Sequence, residues 1–156
     1  MSRTATLPNR RETLAHALAV AGLLGATGLF PRHAHAFTRG AFDAKSVGEA
    51  VRAYGATAPV ESRDVSLTAP EIAENGATVS FTLASTLPGV KQMLLLVERN
   101  PNTLVAKFDV SDAVEANFTL RAKMAETSNV YAVAITADNK AWFTRKEVKV
   151  TLGGCG

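Results

Sequence analysis

From Gly55 onward the chain holds no helical period; it alternates short apolar runs with turn chemistry, a pattern that leaves few folds other than a sandwich of short strands. Residues 64–69 alternate Val65 and Leu67, residues 70–76 close on an Asn75-Gly76 turn, and residues 77–83 alternate Val79, Phe81 and Leu83. Residues 91–98 contain the unbroken run Met93-Leu94-Leu95-Leu96-Val97. This run reads either as a strand buried on both faces or as one that offers a face to a partner. Asn100-Pro101-Asn102 turns the chain into residues 104–110 and 114–125, and Asp138-Asn139-Lys140 reads as a hairpin turn between residues 130–136 and 141–152. Seven strands at this spacing predict an all-β fold, an immunoglobulin-like antiparallel β-sandwich with a short N-terminal helix and a flexible C-terminal arm.

The helix is expected near residues 46–54. Ser46-Val47-Gly48-Glu49 fits a capping box, Val47, Ala50, Val51 and Tyr54 recur at helical spacing, and Gly55 fits the stop. Within the strands, Arg121 and Lys123 alternate and so face solvent, where they are also placed to attract anions or partners. Trp142 and Phe143 point to opposite faces, one toward the core and the other free to reach a partner. Asn75-Gly76 reads as a turn and nothing more.

Ahead of this domain, Asn9-Arg10-Arg11-Glu12-Thr13-Leu14 precedes an apolar run from Ala17 to Phe30, then Pro31 and a small-residue site at Ala34-His35-Ala36. That arrangement reads as a cleaved export signal over residues 1–36. The apolar run is 14 residues long and contains Gly22, Gly25 and Gly28, whereas a spanning helix needs roughly 20 apolar residues, so no membrane anchor is expected. The arginine pair fits the twin-arginine route, with Thr13 where Phe is common, and a general secretory signal fits as well. By either route the mature chain begins near Phe37 in a periplasm.

Of 17 basic and 14 acidic residues, the leader holds Arg3, Arg10, Arg11 and Arg32 against Glu12, leaving 13 of each sign and a mature net charge of zero. A basic field for nucleic acid is thereby excluded. His16, His33 and His35 all lie in the leader. With no histidine and one cysteine, the mature domain cannot form a Cys/His or Ser/His/Asp nucleophile pair, a nitrogen-and-sulfur zinc site or a haem attachment, and it shows no phosphate-cradling glycine loop. Any chemistry the chain takes part in needs catalytic groups from another protein.

The remaining reactive group is Cys155, within the ending Leu152-Gly153-Gly154-Cys155-Gly156. Glycine loses the most conformational freedom on ordering, so Gly153, Gly154 and Gly156 favour a mobile segment, here residues 153–156, behind a domain of residues 37–152. Three extended residue steps from Leu152 carry the thiol about 10 Å outward. In an oxidising compartment an odd cysteine signals an intermolecular link or a reactive free thiol. Near its ordinary pKa of about 8.5 a free thiol is only a few per cent thiolate at pH 7, and the adjacent terminal carboxylate disfavours a second negative charge. Cys155 is therefore expected to be sluggish until a partner's positive cleft surrounds it.

Ala73-Glu74-Asn75-Gly76-Ala77, Glu98-Arg99-Asn100-Pro101, Arg121-Ala122-Lys123-Met124-Ala125, Lys149-Val150-Thr151 and the closing Gly153-Gly154-Cys155-Gly156 together resemble the SoxY family of sulfur-carrier subunits from thiosulfate-oxidising Sox systems. The likeness covers nearly all of the mature chain; family members commonly end on one more glycine. The resemblance implies a carrier rather than an enzyme, with no cofactor beyond a sulfur adduct held covalently on Cys155. It implies a heterodimer with a SoxZ-like subunit, loading with thiosulfate by the SoxAX cytochrome, release of sulfate by the metal-dependent hydrolase SoxB and, where present, oxidation of the remaining sulfane by the SoxCD dehydrogenase. It implies neither nucleic acid nor a membrane as partner. The run Met93 to Val97 is the candidate surface for the second subunit.

Two readings from other classes stay open on the residues alone. A periplasmic immunoglobulin-like binding or adhesion module with an incidental or disulfide-linking tail cysteine accounts for the strands and the leader but leaves the glycine-flanked cysteine unused. A thiol redox protein uses a reactive cysteine but lacks the expected Cys-x-x-Cys.

Overall fold

The structure, a computed structural model, describes residues 39–151 together with Arg11 and Leu14. The former belong to the compact unit Thr38–Gly156. It opens with two short helices, α1 (Arg39–Phe42) and α2 (Val47–Ala53). Ser46 caps α2 by accepting the Glu49 N–H through Oγ at 3.2 Å, and the Glu49 carboxylate reaches back to the Lys45 N–H at 2.9 Å, one residue beyond the cap itself. The helix stops at Tyr54 because Gly55 takes φ +74°, a backbone region that side chains with a Cβ resist. The four-residue α1 was not expected: it is too short to show a period.

Nine strands follow: β1 (Val60–Glu61), β2 (Val65–Thr68), β3 (Ile72–Ala73), β4 (Val79–Ser85), β5 (Val90–Val97), β6 (Leu104–Asp109), β7 (Asn117–Ala122), β8 (Ser128–Thr136) and β9 (Ala141–Val150). They form a larger sheet in the order β1-β9-β8-β5-β6, with β3 also pairing β9, and a smaller sheet in the order β2-β4-β7. The immunoglobulin-like sandwich read from the spacing is what forms. Its pairings are antiparallel except along the outer edge of β9, where β1 and β3 lie parallel. The stretch 70–76, expected to close on a turn, contributes the two-residue β3, and the strand expected over 114–125 shortens to β7, its flanks being held in turns and by side chains instead of a ladder.

The apolar run in β5 is explained by two cores. Met93, Leu95 and Val97 point into the space between the sheets with Phe81, Leu83 and Val130. Leu94 and Leu96 point the other way, beneath Ala50 and Val51 of α2 and beside Val133 and Ile135. All five residues of the run are fully buried, on an interior strand between β8 and β6. The expectation that Met93 to Val97 offers a face to a second subunit is thus overturned: the chain's own helices cover that face. At about 1.5–3 kcal/mol for each large side chain taken out of water, the run is among the main sources of stability.

Trp142 and Phe143 divide between the same two cores. Trp142 packs against the inter-sheet core, and Phe143 packs on the helix side, its ring 5.7 Å from that of Tyr131. They do point to opposite faces, and both are half-buried, each packed against one of the two cores. At the opposite margin, Phe108 of β6 and Phe118 of β7 stack with centroids 4.3 Å apart, tying together the edge strands of the two sheets. On the helix side, burial and then the nearby Asp109 carboxylate hold the Tyr54 phenol above its ordinary pKa, with the Lys107 ammonium 5.6 Å from the ring centroid.

Candidate functional site

β9 carries the chain from the end of the sandwich built by loops 86–89, 110–116 and 137–140 to the end built by loops 74–78, 98–103 and 123–127. Thr151, the last described residue, stands at that second end. Gly153, Gly154, Cys155 and Gly156 lie outside the described residues. What the structure shows is the base from which they extend.

That base is held by side chains as much as by sheet. The Thr151 N–H and Oγ1 both donate to the Ala73 carbonyl, at 3.0 and 3.4 Å, and the Val150 N–H donates to Thr127 Oγ1 at 3.0 Å. Below them the Lys149 N–H donates to the Glu71 carbonyl at 2.9 Å. β3 lies alongside with Ile72 paired to Lys149 and Ala73 to Val150, while β8 pairs β9 on the other side as far as Val148.

Asn100 joins the neighbouring loops. Its amide donates to the Lys123 carbonyl at 2.8 Å and accepts the Ala125 N–H at 2.9 Å, pinning loop 123–127 to loop 98–103. Ser128 Oγ accepts the Arg99 N–H at 3.0 Å, and the Asn129 amide donates to Glu98 at 3.0 Å. Gly76 does more than turn the chain, contrary to the simpler expectation for Asn75-Gly76. A Cβ at this position would stand 2.7 Å from the Met124 carbonyl oxygen and 2.8 Å from Val150 Cγ1. Only glycine lets loop 74–78 close on both the 123–127 loop and the end of β9.

The segments that carried the sequence resemblance, scattered over some eighty residues, therefore meet at the one end of the sandwich that bears the cysteine's base. Arg121 and Lys123 are exposed, as their alternation predicts. Arg99, Lys123 and Lys149 make no ion pair among the described residues, and Glu74 and Glu126 stand exposed among them. Sequence reasoning missed Ile72, which is 58% exposed on β3 beside Lys149. A two-residue strand leaves no alternation to reveal it.

The far end of the sandwich contains two cavities. One of about 460 Å³ lies between loops 86–89 and 110–116, with Asp112 and Glu115 at its margin, and one of about 300 Å³ lies between Pro88, Ala137 and Trp142. Both are the length of β9 away from Thr151, roughly 33 Å at the usual rise of an extended strand. Among the described residues no three His, Cys, Asp or Glu side chains gather where a metal could sit, and no helix is long and apolar enough to cross a membrane.

Comparison with known proteins bears on this end of the molecule directly. Residues 50–155 match the family described as sulfur oxidation protein SoxY, a match that runs through Cys155. Among solved structures, the sulfur carrier protein SoxY from Chlorobium limicola f thiosulfatophilum is similar at 38% identity and a TM-score of 0.55, covering 60% of this chain and 86% of that one. A superoxide reductase (neelaredoxin) from Ignicoccus hospitalis is similar at 17% identity and a TM-score of 0.51, covering 57% of this chain and 81% of that one, a likeness of fold alone. No curated protein matches the chain.

Proposed function

The chain belongs to the SoxY family and is a sulfur carrier in sulfur oxidation, and from that premise we propose that Cys155 is the atom-bearing site, holding thiosulfate-derived sulfur covalently in the periplasm after removal of residues 1–36. The observation that carries this reading is that the family match extends to a lone cysteine placed a few residues beyond a base held rigid on all sides.

Loading joins the Cys155 sulfur to the outer sulfur of thiosulfate. The thiol proton leaves, and two electrons pass to an oxidant, the role expected of a SoxAX-type cytochrome. The product is a cysteine S-thiosulfonate. Water then attacks the sulfonate sulfur at a SoxB-type hydrolase, sulfate departs, and a persulfide stays on Cys155; a SoxCD-type dehydrogenase, where present, oxidises it further. The carrier contributes no acid, base or metal to these steps. It contributes the thiol, the tether and the fixed base, so that intermediates never diffuse away. A SoxZ-like subunit completes the proposed assembly, and with β5 closed off by the helices, exposed edges such as β6, β7 and β2 are where it finds backbone to pair with.

Mass spectrometry of the C-terminal peptide, taken without reductant from cells grown on thiosulfate, tests the proposal. A mass increase on Cys155 matching the thiosulfonate or the persulfide is the expected result. A peptide that is always bare, or joined only to a second copy of itself, overturns it.

A further inference from the structure

The length of the tether and the place where it starts restrict which surface a processing enzyme can touch. From Thr151 to Cys155 is four residue steps, so whatever path they follow the Cys155 Cα lies within about 14 Å of Thr151, and its sulfur within roughly 20 Å. A catalytic group in contact with that sulfur belongs to a protein several times larger than this distance. The walls of its cleft must therefore come to rest on the residues around Thr151. The cavity end, roughly 33 Å away along β9, is out of reach.

Three large apolar side chains of the described domain stand exposed: Val60, Ile72 and Val114. Val60 pairs with Trp142 at the beginning of β9, and Val114 lies in loop 110–116, so both are at the cavity end. Ile72 alone stands within reach of the tether, two residues along the paired strand from Thr151. Paired residues of neighbouring strands share a face, so Ile72 and Lys149 present an isoleucine and an ammonium side by side. An isoleucine 58% exposed, beside a lysine with no ion pair among the described residues and within reach of the cysteine, offers a partner apolar area to cover and a charge to meet.

We propose, resting on the carrier reading above, that the patch of Ile72 and Lys149 with the flanking loops 98–103 and 123–127 is one docking face used in turn by every protein that adds sulfur to Cys155 or removes it. Its occupant is the rim of a catalytic cleft, apolar against Ile72 and anionic opposite Lys149. Because the face is single and the tether short, two such proteins cannot serve one carrier together: each must leave before the next arrives.

The test compares three full-length variants purified from the periplasm, Ile72→Asp, Lys149→Glu and, as the control at the other end, Val114→Asp. Each is incubated with thiosulfate and periplasmic extract of thiosulfate-oxidising cells, and adduct formation and removal at Cys155 are followed by intact mass. Alkylation by iodoacetamide, a small reagent that needs no docking, is measured in parallel, and melting temperatures confirm folding. Both formation and removal are expected to slow by about tenfold in Ile72→Asp and by about threefold in Lys149→Glu, with Val114→Asp and every alkylation rate unchanged. Lys149→Glu alone decides the matter should Ile72→Asp fail to fold. Unchanged rates in the folded variants, slowing of one step without the other, or equal slowing in Val114→Asp overturn the shared face. A wild-type chain that is alkylated normally yet never acquires sulfur overturns the carrier reading itself.

Discussion

At the end where β9 stops, side chains hold the backbone: Asn100 spans two loops, Thr127 and Ala73 take the last N–H groups of the sheet, and Gly76 admits a contact that a single methyl would close. At the end where β9 starts, the loops leave cavities of about 460 and 300 Å³ and are joined by backbone hydrogen bonds, from Thr57 N–H to the Asn139 carbonyl, Ala137 N–H to the Gly89 carbonyl and Ser85 N–H to the Ala116 carbonyl, each at 2.9 Å, while the Asp138 and Lys140 side chains pair within one turn. In many proteins the open, concave end is where chemistry happens. On the proposed reading the cavity is the wrong place to look, because a reactive group borne on Cys155 would work in another protein's cavity. What a carrier of that kind needs is a base that does not yield when the tail is handled, and there the side chains of Asn100 and Thr127 bond the backbone of neighbouring segments.

The difference between the ends can be challenged by substitution. The largest effect is expected from Cys155→Ser, which removes all sulfur loading by mass spectrometry, while Asp112→Asn beside the larger cavity leaves loading intact; loss of loading in the second variant would move function to the cavity end. Next comes Gly76→Ala, for which overpacking against Met124 and Val150 should cost about 1–3 kcal/mol in denaturant unfolding. Asn100→Ala removes two hydrogen bonds and leaves the Lys123 carbonyl and Ala125 N–H to water, at a cost of about 1–2 kcal/mol. The counterpart at the cavity end is Gly89→Ala. Gly89 sits at φ +68° with its nearest neighbour, Ala137 Cβ, 4.0 Å from a built Cβ, so the cost is backbone strain alone, about 1 kcal/mol. A larger loss in Gly89→Ala than in Gly76→Ala would reverse the ranking of the two ends.

The smallest expected effect is that of Asp138→Asn. Hydrogen bonds from Lys140 and Thr136 lower the Asp138 pKa from 3.8 to about 2. A depressed carboxylate pKa adds stability that is present above the unfolded value and fades as pH falls through the folded one. The wild type should therefore melt slightly above Asp138→Asn at pH 7, and the gap should close between pH 4 and pH 2 in thermal scans. Both groups of the pair are in solvent, so the gap is small.

Much of this arrangement can be read from the residues, and what cannot has physical reasons. The longer strands show themselves by alternation, and α2 by its cap and by Gly55. The run in β5 reads as apolar throughout, but alternation cannot say whether its second face meets a partner or the same chain. The answer lies in Ala50 and Val51, on a seven-residue helix some forty residues earlier. β1 and β3 are two residues each and exist because β9 offers an unpaired edge, which is a property of the fold and not of their own sequence. Gly76 is legible as a turn residue, whereas its close approach to Met124 and Val150 depends on contacts with residues about fifty and seventy positions on. Cys155 stands out for the opposite reason: a lone thiol among glycines needs no fold to be noticed.

The anchoring of β9 also bears on how the molecule withstands force. On the proposed reading, a partner that withdrew while still gripping Cys155 would pull on Thr151 along the strand axis. β9 is bonded along one side by β8 from Ala141 to Val148 and on the other by β1 at its start and β3 at its finish. Such a pull runs across these hydrogen bonds and loads them together in shear, whereas a pull at right angles would peel them off singly. Against a tug in that direction β9 is thus held by a long ladder to β8 on one side and by short ladders at both ends of the other, so that the proposed handling of Cys155 would load many hydrogen bonds before it disturbed the fold.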